Sequence, residues 1–233
     1  MLSHMNILVS KNKYNQKKIR EMYDRIYKKC PIQESEEHYR WVFNVLKTAK
    51  DERILDVACG GGYLLKEAEK HGIDSVGIDI SLEALGLVKR DSFKTKVICG
   101  DAEALPFQGE SFDVTTNLGS LEHFIDPVKG LHEMHRVLKK RGRAAFLLPN
   151  SYFMLTIWNV LKTGTTGRTT AQEIDRWATK EEWNWLLENN GFKIEKVLKY
   201  NYKSAKAPIK YRVLRPFIPL NLSYCFLYLC SKL

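Results

Sequence analysis

The sequence predicts an open α/β fold, a mainly parallel sheet wound with helices on both faces. Three observations carry that expectation. Arg53-Ile54-Leu55-Asp56-Val57-Ala58 reads as a short buried strand that runs straight into Cys59-Gly60-Gly61-Gly62. The stretch from Tyr63 to His71 then places Leu64, Leu65 and Ala68 at helical spacing. Ser75 to Asp79 is a second short apolar strand, and it ends in a carboxylate. Strand, glycine turn, helix, strand, acid is the plan of a mononucleotide-binding half of an open sheet. Glycines in the turn permit positive φ and close approach of a ligand to the backbone. The helix start beyond them offers free N–H groups. The acid at the next strand tip can accept two hydrogen bonds from a ribose diol.

The turn fits two common nucleotide fingerprints poorly. Aligned on Gly60 as its second glycine, a dinucleotide pattern would need glycines where Ala58 and Tyr63 stand. No Gly-Lys-Ser/Thr follows, so a P-loop is absent. Leu55 to Gly62 instead resembles the first motif of class I S-adenosylmethionine-dependent methyltransferases. Asp56, Ala58, Gly60 and Gly62 follow that motif, with alanine at 58 where glycine is usual. Three further segments resemble the family in order: Asp79 as the ribose-binding acid; Gly100-Asp101-Ala102-Glu103-Ala104-Leu105-Pro106-Phe107, whose Asp meets the adenine amino group; and Ser111-Phe112-Asp113-Val114 to Phe124-Ile125-Asp126-Pro127, the fourth strand and its loop.

The resemblance covers roughly residues 50 to 150. It implies a doubly wound, Rossmann-like sheet of seven strands. It implies S-adenosylmethionine as cofactor, S-adenosylhomocysteine as its product, and no metal. The residues it assigns to the cofactor are Tyr23, Asp56, Ala58, Cys59, Gly60, Gly61, Asp79, Ile80, Asp101, Ala102, Glu103, Asn117 and Leu118. Tyr14 and Tyr27 join Tyr23 as tyrosines placed to touch the methionine end, with plain packing the simpler account of any one of them.

Length and composition bound the rest. A chain of 233 residues, 44% apolar, fits one medium domain with an appended cap. We read residues 1–50 as a helical cap and 51–233 as the main domain. Cys30, Cys59, Cys99, Cys225 and Cys230 contain no Cys-x-x-Cys pair, which points to a reducing, cytoplasmic setting. The first twenty residues are basic and polar rather than signal-like, and no apolar stretch is long enough to span a membrane. The net charge of +10 is densest at Lys11, Lys13, Lys17, Lys18, Arg20, Arg25, Lys28 and Lys29. RNA, anionic lipid or a phosphorylated substrate would suit such a run, and a solvated helix face explains it more simply.

Along the chain, Ile19, Met22, Tyr23 and Ile26 form one helical stripe, and after Pro31 a second carries Tyr39, Val42, Phe43 and Leu46. Ser81 caps a helix whose Leu82, Leu85 and Val88 face inward. Lys94 to Cys99 and Phe112 to Thr116 are the third and fourth strands. His123, just beyond the latter, stands beside the expected reaction centre, as a general base or as a packing residue in equal measure. Asp126-Pro127 opens a helix with Val128, Leu131, Met134 and Leu138 buried. His132 and His135 lack the spacing of a zinc helix.

Arg136 to Arg143 is basic and precedes a fifth strand, Ala144 to Leu148. Residues 150–178 resemble the family's acceptor-site insertion, with Tyr152, Phe153, Leu155, Ile157 and Trp158 as an aromatic and apolar lining and a Gly/Thr loop at 163–170. Thr179 to Glu182 is a capping box before a helix with Trp183, Leu186 and Leu187 inward. Phe192 to Tyr200 alternates as a strand. Residues 203–219 are basic and proline-interrupted, placed to cover the pocket or to touch a membrane surface, and Tyr224 to Leu229 is a final strand.

The function expected from this reading is methyl transfer to a small-molecule acceptor, the later segments resembling the branch that acts on quinone precursors and other metabolites. Two alternatives stand beside it: an RNA methyltransferase using the basic N-terminal face, and a cofactor-binding protein of the same fold without turnover. A nicotinamide-dependent reductase is more distant.

Overall fold

The computed structural model describes residues 15–90, 94–166, 172–201 and 213–233. Tyr14, Lys11 and Lys13, the 167–170 part of the Gly/Thr loop and the 203–212 part of the basic segment lie outside them.

Two helices precede the sheet, α1 (Gln16–Lys29) and α2 (Glu36–Leu46). The alternating part follows: β1 (Arg53–Val57), α3 (Tyr63–Lys70), β2 (Asp74–Asp79), α4 (Leu82–Arg90), β3 (Lys96–Cys99), β4 (Phe112–Leu118), α5 (Pro127–Val137) and β5 (Leu138–Pro149). The chain continues as α6 (Met154–Thr163), α7 (Lys180–Glu188), β6 (Phe192–Tyr200) and β7 (Cys225–Lys232). These form one seven-stranded sheet of order β3-β2-β1-β4-β5-β7-β6. All pairings are parallel except those of β7, which runs antiparallel between β5 and β6.

The strand order turns back between β1 and β4. Open α/β sheets bind ligands in the crevice outside the strand ends at such a point. Ile54, Leu55 and Val57 of β1 are fully buried because helices cover both faces. One core layer joins β1 and β2 to α5, α7 and β7, and the other packs Val42, Phe43 and Leu46 of α2 against α3 and the far side of the strands.

Several local expectations shift. Leu82 is 58% exposed, because the first turn of α4 leaves the sheet there, and Ala84 takes the buried position with Leu85 and Val88. Leu138 ends the α5 stripe by becoming the first residue of β5, whose basic start, Lys139 to Arg143, extends the strand well before Ala144. There Lys139 pairs with Asp113 at 2.8 Å, and Arg143 with Glu52 and the Leu46 carbonyl. The charge is absorbed in edge pairs of the fold.

α1 is tied down by a carboxylate. Asp24 Oδ1 accepts the Ser81 hydroxyl at 2.6 Å and the Glu83 N–H at 3.2 Å, so a residue of the cap satisfies the N-terminus of α4. Lys28 adds an ion pair to Glu83. The helix that roofs the crevice is thereby anchored beside the end of β2. Among the described residues no helix is long and apolar enough to cross a membrane.

Candidate active site

A cleft of about 980 Å³, mouth included, opens at the switch point. Its floor comes from the β1 turn (Asp56, Ala58, Cys59, Gly60, Gly61) and the end of β2 (Asp79, Ile80). One wall is Asp101, Ala102 and Glu103 after β3; the other is the loop after β4 with Leu118, Gly119, Ser120 and His123. The roof is α1 with Ile19, Tyr23 and Tyr27, joined by Tyr39 of α2.

The turn is built for close approach. Ala58 has φ +59° and Gly60 φ +53°. The alanine therefore occupies a left-handed conformation that costs an L-residue about 1 kcal/mol, the physical sense of the glycine usual there. A Cβ on Gly60 would come within 2.5 Å of the Tyr27 hydroxyl, so only a bare backbone fits beneath α1.

Two buried carboxylates define the electrostatics. Asp79 Oδ2 accepts the Gly60 N–H and Oδ1 the Ser81 N–H, each at 2.8 Å. Asp79 thus fixes the glycine turn and still has acceptor capacity facing the cleft. Burial pushes its pKa up to about 6, the two N–H bonds pulling the other way. Asp56 accepts the Thr116 hydroxyl at 2.6 Å, and burial raises it to about 7, with Asp79 adding repulsion. Asp101 Oδ1 accepts the Glu103 N–H at 2.8 Å, and Glu103 Oε1 accepts the Asp126 N–H at 3.0 Å. Asp56, Asp79, Asp101 and Glu103 all line the cleft, and among the described residues no lysine or arginine does.

Asn117 is corrected by the geometry. Its side chain does not reach the cleft. Fully buried, it donates to the Val57 carbonyl at 3.1 Å and accepts the Leu121 N–H at 2.8 Å. It holds the β1 end to the loop after β4, and Leu118 beside it faces the cavity.

His123 sits in a short 3-10 turn at the wall, its side chain 11% exposed. Its Nδ1 lies 2.6 Å from the Ile174 carbonyl, which can only accept, so Nδ1 carries a proton. Nε2 lies 3.8 Å from Glu122 Oε1, and Nδ1 lies 3.9 Å from Asp175. Burial lifts the Glu122 carboxyl to about 6.

The insertion takes a different place from the one expected. None of Tyr152, Phe153, Leu155, Ile157 and Trp158 lines the cleft. Its far end does the work: Gln172 lines the cavity and donates to the Tyr23 hydroxyl at 3.1 Å, and Ile174 packs with Ile19 and Met22. Arg176, 4% exposed, donates to the carbonyls of Glu122, Phe124 and Ile125. This buried arginine clamps the loop that carries His123. No sequence signal singled it out, since its partners are backbone oxygens. The aromatic surface comes instead from Tyr23, Tyr27, Tyr39 and Tyr63, with Tyr39 stacked on Tyr63 at 5.3 Å. The helical stripes of α1 and α2 already contain Tyr23 and Tyr39; Tyr63 comes from the first turn of α3.

Comparison with known proteins bears on this geometry. Residues 55–146 match the family described as "Methyltransferase domain". That match covers less than half of the chain. It contains the glycine turn, Asp79, Asp101 and His123. The demethylmenaquinone methyltransferase of Renibacterium salmoninarum is 38% identical over 104 residues, 45% of this chain and 44% of that protein. The chain spans about half the length of the curated relatives it matches. The S-adenosylmethionine-dependent methyltransferase of Mesorhizobium loti superposes with a TM-score of 0.63 at 18% identity, covering 85% of this chain and 100% of that one. The cyclase SpnF superposes with 0.67 at 17% identity, covering 94% and 96%. The fold around the matched segment is thus the Rossmann-like fold that these solved structures share.

Proposed function

We propose that the protein binds S-adenosylmethionine in this cleft and transfers its methyl group to a small-molecule acceptor of the quinone-precursor kind. The observation that carries the reading is the charge of the cavity. Among the described residues four carboxylates and no lysine or arginine line it, in a chain of net charge +10. A sulfonium with an amino group is cationic and suits that lining. The pyrophosphate of NAD or NADP and the phosphates of RNA would find no side-chain cation among that described lining.

When bound, the cofactor supplies an electrophilic methyl group on its sulfur. The chain's own residues then bind, orient and exclude water. Asp79 accepts hydrogen bonds from the ribose diol, and the bare Gly60 and Gly61 backbone lets the ligand lie close to the turn. Asp101 and Glu103 meet the adenine end. Tyr23 and Tyr27, under α1, keep solvent from the sulfur. His123 Nε2 takes the proton from an acceptor hydroxyl, since Nδ1–H is committed to the Ile174 carbonyl. The neighbouring Glu122 carboxylate stabilises the imidazolium that forms. Ile19, Phe124 and Ile125 give that end of the cleft an apolar lining for a flat acceptor. The five free thiols fit a reducing, cytoplasmic setting.

The carboxylates also set a pH dependence. Both Asp56 and Asp79 titrate above the ordinary 3.8. Their contribution to the stability of the ligand-free chain is full below about pH 4 and is lost as the pH rises through about 6 and 7. A cationic ligand favours the ionised forms, so its stabilising effect runs the opposite way. The rise in melting temperature with S-adenosylmethionine is expected to be larger at about pH 7.5 than at about pH 5.5. An equal or larger rise at the acid pH would detach the two aspartates from the ligand.

The acceptor is tested with methyl-labelled S-adenosylmethionine and three preparations: a demethylated hydroquinone, a metabolite extract and total RNA. Label in the hydroquinone or in the extract supports the reading. Label in RNA that falls steeply with salt would replace it with the polyanion alternative. Cofactor binding with no label anywhere would favour a fold used for other chemistry, as the likeness to a cyclase illustrates.

A further inference from the structure

We propose that the face formed by α6 and the segment 213–222 docks on an anionic lipid bilayer. α6 is a ten-residue helix, largely apolar, with no buried side chain. A helix on a domain surface ordinarily buries one stripe. Its packing against buried residues is at its root, where Phe153 and Ile218 pack with Met154, Leu155, Leu222 and Tyr224. Beyond the root the apolar side chains face outward: Trp158 is 67% exposed, Leu161 77%, Val213 63%, Leu214 51% and Phe217 80%. Single exposed apolar residues are ordinary, whereas five on two segments that share one root are a patch with a purpose.

The second segment is held in that pose. Lys199 Nζ donates to the carbonyls of Pro216 and Ile218, and the Asn201 amide donates to the Arg215 carbonyl. Asn150 joins the α6 side to it through the carbonyls of Asn221 and Ser223. Phe217 therefore projects from a fastened turn.

Charge selects the occupant. The sequence has no aspartate or glutamate from Ser151 to Gln172, and none after Glu195, where eight lysines and arginines follow. Within the described face Lys162 follows Leu161 directly, and Arg215 lies between Leu214 and Phe217. Apolar tips interleaved with cations along both segments match an anionic bilayer, where the rings and aliphatic chains enter the acyl boundary and the cations meet the headgroups. A second copy would bring the same positive charge against itself. Nucleic acid would satisfy the cations and leave Trp158, Leu161 and Phe217 in water.

The test is co-sedimentation of the full chain with phosphatidylcholine vesicles, with and without phosphatidylglycerol, beside the variants Leu161→Ser/Phe217→Ser and Lys162→Glu/Arg215→Glu. The wild type is expected to sediment with the phosphatidylglycerol vesicles, and each double variant to bind at least about tenfold more weakly. All these side chains are partly or fully exposed, so the variants should melt with the wild type, which separates lost docking from lost fold. Trp158→Phe reports insertion: the blue shift of tryptophan emission on vesicles should shrink in it. Failure of the wild type to bind the anionic vesicles would overturn the proposal, as would equal binding by wild type and the serine variant. A wild-type dimer that the serine variant converts to a monomer, without vesicle binding, would overturn it in favour of self-association.

Discussion

Asp79→Ala is expected to weaken S-adenosylmethionine binding by roughly tenfold to a hundredfold, about 1.5–3 kcal/mol for the loss of hydrogen bonds to a charged acceptor. The expectation rests on a double role. Asp79 holds the Gly60 and Ser81 N–H groups at 2.8 Å each, and its remaining lone pairs face the cleft where a ribose diol would lie. The variant thus loses the direct contact and also frees the turn on which the ligand rests. Isothermal titration on the folded variant reads the effect. Unchanged affinity would remove Asp79 from the site. Asp79→Asn should fall between the two, because an amide keeps one acceptor for the turn while presenting an N–H where the diol needs an acceptor.

His123→Ala is expected to lower turnover by about 10²–10⁴-fold with an acceptor whose hydroxyl must lose its proton. The tautomer decides the role. The Ile174 carbonyl, 2.6 Å away, fixes a proton on Nδ1, which leaves the Nε2 lone pair for the acceptor. The variant should keep cofactor affinity. Near-wild-type turnover would exclude the base. A fall in affinity that matches the fall in rate would mean that the residue shapes the wall without moving a proton.

Much of this architecture was legible in the residues. The β1 turn, the carboxylate at the end of β2 and the Gly100-Asp101 segment are local: each is written in a few consecutive residues, and the parallel topology carries them to one crevice. What escaped is what depends on distant partners. Arg176 clamps three carbonyls from fifty residues away, and nothing in its neighbourhood announces a buried arginine. Asn117 follows a strand end in a place that suggests ligand contact, yet its amide is spent on Val57 and Leu121. Aromatic residues at 152–158 suggested a pocket lining because composition does not say which face an insertion takes. The tyrosines of α1 and α2 line the cleft instead, since Asp24 anchors α1 over the glycine turn through Ser81. Leu82 was misplaced for a related reason: helical spacing gives the stripe, and the exit angle from the sheet decides which of its first residues is covered.

The central claim is that this anionic cleft takes a cationic adenosyl sulfonium. The most direct test is the melting temperature of the full chain with S-adenosylmethionine, S-adenosylhomocysteine, NAD or NADP, each at one concentration near neutral pH. Stabilisation is expected from the sulfonium S-adenosylmethionine and from its thioether product S-adenosylhomocysteine, and none from either dinucleotide; a ligand at a hundred times its dissociation constant adds about 2.7 kcal/mol. Stabilisation by NAD or NADP alone would contradict it, because a doubly charged pyrophosphate would then occupy a site lined by four carboxylates.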